Sequence, residues 1–348
     1  MKKRFRDLGQ VVGNLPTGEN NAITDVKGVV VGHKTLVADE VCSGLTVIMP
    51  NEGKLNETHF PAGIFAFNGT GELTGTHWIN ETGTLVTPIV FTGSNLLGLV
   101  HHNMALATRR IDGLEPFSNG VVGETWDGWL SSLEKSELSY KDVEEAIINA
   151  KSGIVEEGNV GGGTAMICFE FKGGIGTSSR LVECECGRFT VGALVQTNFG
   201  RRQDLVIGNV KVGAIIDENE VPLPWQTPEN QGSLLVAVFT DAPLIPSQCE
   251  RISKRAALSM ARMGGIGEEG SGDFFITVST GNSYSYGNEE IYDIKMFPSE
   301  QLENLFEGTI EAVEEAIINS LCMAETLEGQ KGRMAYELPQ EKLINILK

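Results

Sequence analysis

No stretch of the 348-residue sequence approaches the roughly 18 consecutive apolar residues of a membrane span, and no apolar signal core follows the basic opening Met1 to Arg6. The expected address is the cytoplasm, with no membrane partner. Basic charge is scarce: 27 Lys and Arg stand against 46 Asp and Glu, a formal net of -19. That balance repels phosphate backbones, so no nucleic acid is expected as a partner, whereas a cationic small substrate such as a free amine suits it. The six cysteines are too few and too dispersed for a disulfide scaffold, and they agree with a reducing compartment. Cys184 and Cys186 form one CxC without a second pair, and His101 and His102 lack an acidic or cysteine partner at ligand spacing, so no metal is expected. Proline is limited to 12 residues, and the 42 glycines follow no G-X-Y period, which excludes a collagen-like chain. The glycines are left to serve turns and close backbone approaches.

What is present is a large globular chain, 41% hydrophobic. Short apolar runs bounded by glycine predict strands at Val29 to Val31, Leu45 to Met49, Ile64 to Phe67, Val86 to Phe91, Met166 to Phe171, Phe189 to Thr197, Val212 to Ile216, Leu234 to Thr240 and Phe274 to Thr280. Several are continuously apolar, which predicts sheets covered on both faces. Helical spacing predicts the cover: Gln301 to about Glu325, Ser247 to Met263 with Ser247 and Glu250 as a capping box, and Tyr140 to Lys151. The heptapeptide VEEAIIN occurs at Val143 to Asn149 and again at Val313 to Asn319, read as two helices of similar amphipathic composition. One linker stands out, Asp217 to Gly232, with Pro222, Pro224 and Pro228 among acids and amides.

That linker runs straight into the apolar strand beginning Ser233-Leu234-Leu235. Gly93-Ser94, Gly232-Ser233 and Gly270-Ser271 are the three Gly-Ser pairs, and only the middle one joins a proline-rich loop to a core strand. Such a junction suits a self-cleaving N-terminal nucleophile, because a residue without Cβ lets the backbone be strained and a strand start fixes the freed serine. A plain loop-to-strand turn fits the same residues. Gly265, Gly267 and Gly270 form a GxGxxG, but it follows a helix and precedes a strand, the reverse of a dinucleotide site, so no cofactor is expected. The same loop presents Ser271 and Asp273, either a hydroxyl-carboxylate pair beside a nucleophile or residues shaping a turn. Asn198 at a strand end could donate to an oxyanion, and Glu124 near Trp126 and Trp129 could bind an ammonium group. Each of these also reads as ordinary turn or surface chemistry. His33 and His77 have no evident companion.

Taken together, RDLG (Arg6 to Gly9), NAITDVKGVVVGH (Asn21 to His33), NGTGELTG (Asn68 to Gly75), VVGETWDG (Val121 to Gly128), GNVGGGTAMICFEFKGGIGTSSR (Gly158 to Arg180), VGALVQTNFG (Val191 to Gly200), GSLLVAVFTDAPL (Gly232 to Leu244) and GSGDFFITVSTGN (Gly270 to Asn282) resemble the DmpA family. These are self-processing L-aminopeptidase/D-esterases and β-aminopeptidases, and the resemblance covers nearly the whole chain. It implies an α/β fold, a four-layer α-β-β-α sandwich of the DmpA and ornithine acetyltransferase type, as a single domain cut into residues 1–232 and 233–348. It implies Ser233 as nucleophile, freed when the bond after Gly232 breaks, with Ser271 and Asp273 hydrogen-bonded around it and Asn198 stabilising the oxyanion. Some relatives carry Glu where this chain has Asp273, one methylene shorter. Glu124 matches the acid that receives the substrate's amino group, and Trp126 falls where some relatives have Tyr. The implied activity removes an N-terminal residue from a short peptide, amide or ester, without cofactor, in a homo-oligomer. Competing expectations are an ornithine acetyltransferase, whose nucleophile is threonine, and a non-catalytic binding protein of the same fold.

Overall fold

The strand Gly232–Thr240 has no polar face: Leu235, Ala237 and Phe239 join one buried cluster, while Leu234, Val236 and Val238 join another. A strand apolar on both sides must be covered twice. In the computed structural model, which describes residues 2–51, 58–112, 120–225, 232–285 and 291–348, it lies inside a seven-stranded sheet. The order is Tyr284–Ser285, Thr58–Gly69, Ser271–Ser279, Gly232–Thr240, Gly187–Asn198 and Gly174–Cys184, with Thr84–Leu85 also paired to Thr58–Gly69. Neighbours are antiparallel except Gly232–Thr240 and Ser271–Ser279, which run parallel. A four-stranded sheet, ordered Val30–Ala38, Val41–Met49, Ile89–Gly93 and Val121–Thr125, ends in a second parallel pair.

Parallel neighbours need a crossover, and each pair has a helix as its connection. Helix Pro246–Arg262 joins the first pair and helix Leu97–Asp112 the second. With Leu302–Met323, the first helix covers the outer face of the seven-stranded sheet through Ile252, Ala256, Met260, Leu305, Val313 and Ile317. With Tyr140–Ile148, the second covers the four-stranded sheet through Val100, Met104, Val143 and Ala146. Between the sheets, Leu194, Leu235 and Phe239 meet Ile48, Ile89 and Phe91. This is the four-layer α-β-β-α sandwich expected from the sequence. Among the described residues no helix is long and apolar enough to cross a membrane.

Several expectations need correction. Val212–Ile215 is a short helix, not a strand; a brief apolar run carries no period that separates the two. Met166 to Phe171 is not one strand but a tight hairpin, Ile167–Cys168 against Phe171–Lys172, because Phe169 and Glu170 turn left-handed at φ 50 and 59. The Ser247–Glu250 capping box is unused. The helix starts at Pro246, Gln248 Oε1 accepts the Ile245 N–H at 3.2 Å, and Glu250 pairs with Lys254 instead. Helix Leu97–Asp112, which carries His101 and His102, was not anticipated. Residues 226–231 of the proline-rich linker lie outside the described residues.

The opening segment is locked to the sheet by charge. Arg180, fully buried on the strand Gly174–Cys184, donates Nε to Glu311 at 2.9 Å and Nη2 to Glu315 at 2.7 Å; its Nη1 binds Ser178 Oγ and Ser179 O. Arg180 Nη2 also reaches Val12 O, Arg6 pairs with Glu315 at 2.8 Å, and Glu311 accepts the N–H groups of Asn14 and Leu15. Removing one partner of such a network leaves buried carboxylates short of positive charge, so Arg180→Leu is expected to lower unfolding stability by about 3–5 kcal/mol. Urea unfolding midpoints would measure it, and a loss below about 1 kcal/mol would contradict the assignment.

Candidate active site

Three strands end together. Asn198 is the last residue of its strand and pairs across with Ser233, the second residue of the next. On the other side Gly232 pairs with Ser271, Ser233 with Gly272 and Leu234 with Asp273. Because that second pair is parallel, both strand starts lie at the same edge, and the serines open them side by side.

The buried Ser233 hydroxyl donates to the Gly232 carbonyl at 2.5 Å. The backbone of Gly232 is not left-handed, contrary to the strain expected there. What its missing Cβ provides is room, since a Cβ would stand 3.1 Å from Ser271 Oγ. Ser271 in turn donates to Asp273 Oδ1 at 2.8 Å, so the shorter acid does reach its serine. Asp273 Oδ2 is buried without a hydrogen-bond partner. Burial lifts the Asp273 carboxyl to about 6, and the negative Glu268 adds to this against the opposing Ser271 hydroxyl and Leu234 N–H.

Asn198 Oδ1 accepts the Ile167 N–H at 2.8 Å. A backbone donor can face only the oxygen of an amide, so this bond fixes which way Asn198 is turned and leaves its Nδ2 as a donor group. The hairpin that supplies Ile167 is the one expected as a strand.

Glu124 comes from the other sheet, on Val121–Thr125. Its Oε1 accepts the Glu72 N–H at 3.0 Å and its Oε2 accepts the Ser94 hydroxyl. A Cβ on Gly71 would stand 2.8 Å from Glu124 Oε1 and 3.3 Å from Gly272 Cα, so a single glycine separates this acid from the strand paired with Ser233. Burial raises the Glu124 carboxyl to about 7; the Glu72 N–H opposes, and the charges of Asp127 and Glu72 add. Asp127, fully buried and raised by burial to about 6, accepts Ser43 Oγ at 3.0 Å and the Asn95 N–H at 3.4 Å. The half-buried Trp126 ring folds over Gly128 within its own loop.

The structure therefore gathers Asn198, Gly232, Ser233, Ser271 and Asp273 at one strand edge and brings Glu124 to it from the facing sheet. Together they offer a hydroxyl, a second hydroxyl tied to an acid, an amide donor and a carboxylate able to hold an ammonium group. Sequence reasoning missed Ser94 and Asp127. Ser94 belongs to a Gly-Ser pair set aside for lacking a cleavage context, and Asp127 lies inside the VVGETWDG block.

Residues 21–335 match the profile of peptidase family S58. A β-peptidyl aminopeptidase BapA of Sphingosinicella microcystinivorans is 39% identical, the match covering 99% of this chain and 92% of that one. Among solved structures, a β-aminopeptidase of Burkholderia sp. superposes with a TM-score of 0.92 at 40% identity, covering 99% of this chain and 98% of that one. An L-aminopeptidase D-Ala-esterase/amidase from Ochrobactrum anthropi, described as a variant of the Ntn hydrolase fold, gives 0.91 at 37% identity over the same shares.

The raised Glu124 has a thermodynamic signature. Its folded value of about 7 exceeds the ordinary 4.5, so the folded chain holds a proton that the unfolded chain has released. The resulting stability is present below the unfolded value and is lost as pH rises through about 7. In thermal melts, Glu124→Gln is expected to gain on the unsubstituted chain as pH is raised from about 5 to about 8. A melting difference constant over that range would contradict the assignment.

Proposed function

Since the chain belongs to peptidase family S58 and is a serine aminopeptidase of the N-terminal nucleophile fold, we propose that it cuts itself between Gly232 and Ser233 and works through an acyl-enzyme on Ser233. The observation that carries this reading is the Ser233 hydroxyl set against the Gly232 carbonyl at a strand start, with Ser271 alongside. Attack by Oγ on the Gly232 carbonyl carbon closes a five-membered ring, the C–N bond breaks toward nitrogen, and the resulting ester is opened by water. The products are a carboxylate on Gly232 and a free amine on Ser233, dividing one domain into residues 1–232 and 233–348.

That amine has an ordinary pKa of about 7.7–8.0, so near neutrality a useful fraction is unprotonated and takes the proton of its own hydroxyl as Oγ attacks substrate. Asn198 Nδ2 donates to the tetrahedral oxyanion. The proton passes to the leaving amine, and water then releases the acyl group. Ser271 and Asp273 hold the amine and hydroxyl in place. Glu124 binds the substrate's ammonium, and Trp126 borders the side-chain pocket. The names of the relatives extend the substrate class to N-terminal residues of short peptides, amides and esters, α- or β-linked. Acyl transfer to ornithine is not favoured, since these relatives are aminopeptidases and the candidate nucleophile is serine. The same reading includes a cytoplasmic homo-oligomer, the address supported by six free, dispersed cysteines.

A denaturing gel tests the first step: two bands are expected from the unsubstituted chain and one from Ser233→Ala, and a single full-length band from both would refute self-cleavage. For the second step, Asn198→Ala is expected to lose about 2.7–4 kcal/mol of barrier stabilisation, read as a drop in kcat on amino-acid p-nitroanilides in a folded protein. Unchanged kcat would remove Asn198 from the oxyanion role.

A further inference from the structure

The hairpin that turns Asn198 is itself held in an unfavourable shape. A two-residue hairpin with both central residues left-handed normally uses Asn-Gly. Here the residues are Phe169 and Glu170, at φ 50 and 59. Strain of this kind persists only where the surroundings over-determine it.

The surroundings are specific. The Phe169 N–H donates to Phe199 O at 2.6 Å, and its ring meets that of Phe199 edge-on with centroids 5.0 Å apart. Phe199 directly follows Asn198. Glu170, buried, uses both carboxylate oxygens: Oε2 accepts the Arg202 N–H at 2.9 Å and Oε1 accepts the Trp225 indole N–H at 2.9 Å. Its carbonyl accepts Arg202 Nη2 at 2.6 Å, while Arg202 Nη1 donates to Val221 O at 2.7 Å and the guanidinium lies 3.7 Å over the Phe171 ring. Trp225 also stacks edge-on against Trp129, 5.5 Å between centroids.

One face of this turn therefore fixes Asn198, through Ile167 and Phe199, and the other holds Trp225 directly and Val221 by way of Arg202, both upstream of the Gly232-Ser233 junction. We propose that Glu170 is a positioning residue that ties Trp225, on the linker upstream of the junction, and the oxyanion asparagine into one unit. This rests on the self-cleavage reading given above. Glu170 touches neither reacting atom; it acts through Trp225 on one side and the hairpin on the other.

The test compares Glu170→Gly, which keeps the left-handed turn and removes the carboxylate, with Trp225→Phe, which keeps a ring against Trp129 and removes the donor. Full-length chains synthesised in a time course are followed on denaturing gels, and matured enzyme is assayed on an amino-acid p-nitroanilide. Glu170→Gly is expected to slow self-cleavage and lower kcat about tenfold or more, with KM within about twofold, because Glu124 is not part of the unit. Trp225→Phe is expected to lose less, about threefold, and the double variant no more than Glu170→Gly alone. Cleavage and kcat at unsubstituted rates in Glu170→Gly overturn the inference, as does a raised KM with unchanged kcat. If Glu170→Gly does not fold, Trp225→Phe decides: slowed cleavage supports the inference and unsubstituted rates overturn it. An unsubstituted chain that stays whole overturns the self-cleavage reading and this inference with it. A chain that cuts, alongside variants that cut equally fast, overturns this inference alone.

Discussion

Strand register is the constraint on which the site depends. Side chains alternate along a strand, so slipping Gly232–Thr240 by one residue against its neighbours would turn Ser233 away and send Leu234 into its place. Register here goes with packing on both faces: Leu235, Ala237 and Phe239 lie in the cluster between the sheets, and Leu234, Val236 and Val238 lie in the cluster under the helices. The apolar core thereby sets the angular position of one hydroxyl at its edge. The parallel pairing adds a second condition, because only parallel neighbours bring two strand starts, and so Ser233 and Ser271, to the same edge.

Charge is handled in two opposite ways in this chain. Away from the site, Arg180, Arg6, Glu311 and Glu315 satisfy one another, and the result is a rigid tie between the opening segment, an edge strand and a helix. At the site, Glu124, Asp127 and Asp273 are buried, and the charged side chains that act on Glu124 and Asp273 are other acids. Burial without a cation raises a carboxyl's pKa and costs stability, a cost that structural acids avoid by pairing. In the proposed function an incoming ammonium group supplies the missing partner. Under the proposed reading, Glu124 and Asp273 lack a cation in the free chain and gain one from a substrate amine or a new N-terminus, which favours binding of a free amine.

Much of this was legible in the sequence, and the failures are instructive. The junction at Gly232-Ser233 stood out because a proline-rich linker met a continuously apolar strand. The hairpin at Phe169 and Glu170 did not, since its left-handed residues are held by distant Trp225, Arg202 and Phe199, not by local turn chemistry. The repeated VEEAIIN makes the same point. At its first occurrence Ile148 is 66% exposed, and at its second the equivalent Ile318 is 0% exposed. Glu145 meets a partly exposed Lys34, while Glu315 is buried against Arg180. Identical local sequence sets the helix; tertiary position sets what each residue does.

The proposed chemistry also limits the substrate by geometry. Before the cut, the electrophile beside Ser233 Oγ is the Gly232 carbonyl; afterwards a substrate carbonyl must take that place to meet the same hydroxyl and the same Asn198 donor. Its ammonium must at the same time reach Glu124, which is separated from the Gly272 backbone by Gly71 alone. A blocked amino terminus would bury Glu124 with no cation. Under the proposed reading, discrimination for free N-terminal residues then rests on Glu124, which the four-stranded sheet supplies across from the Ser233 strand.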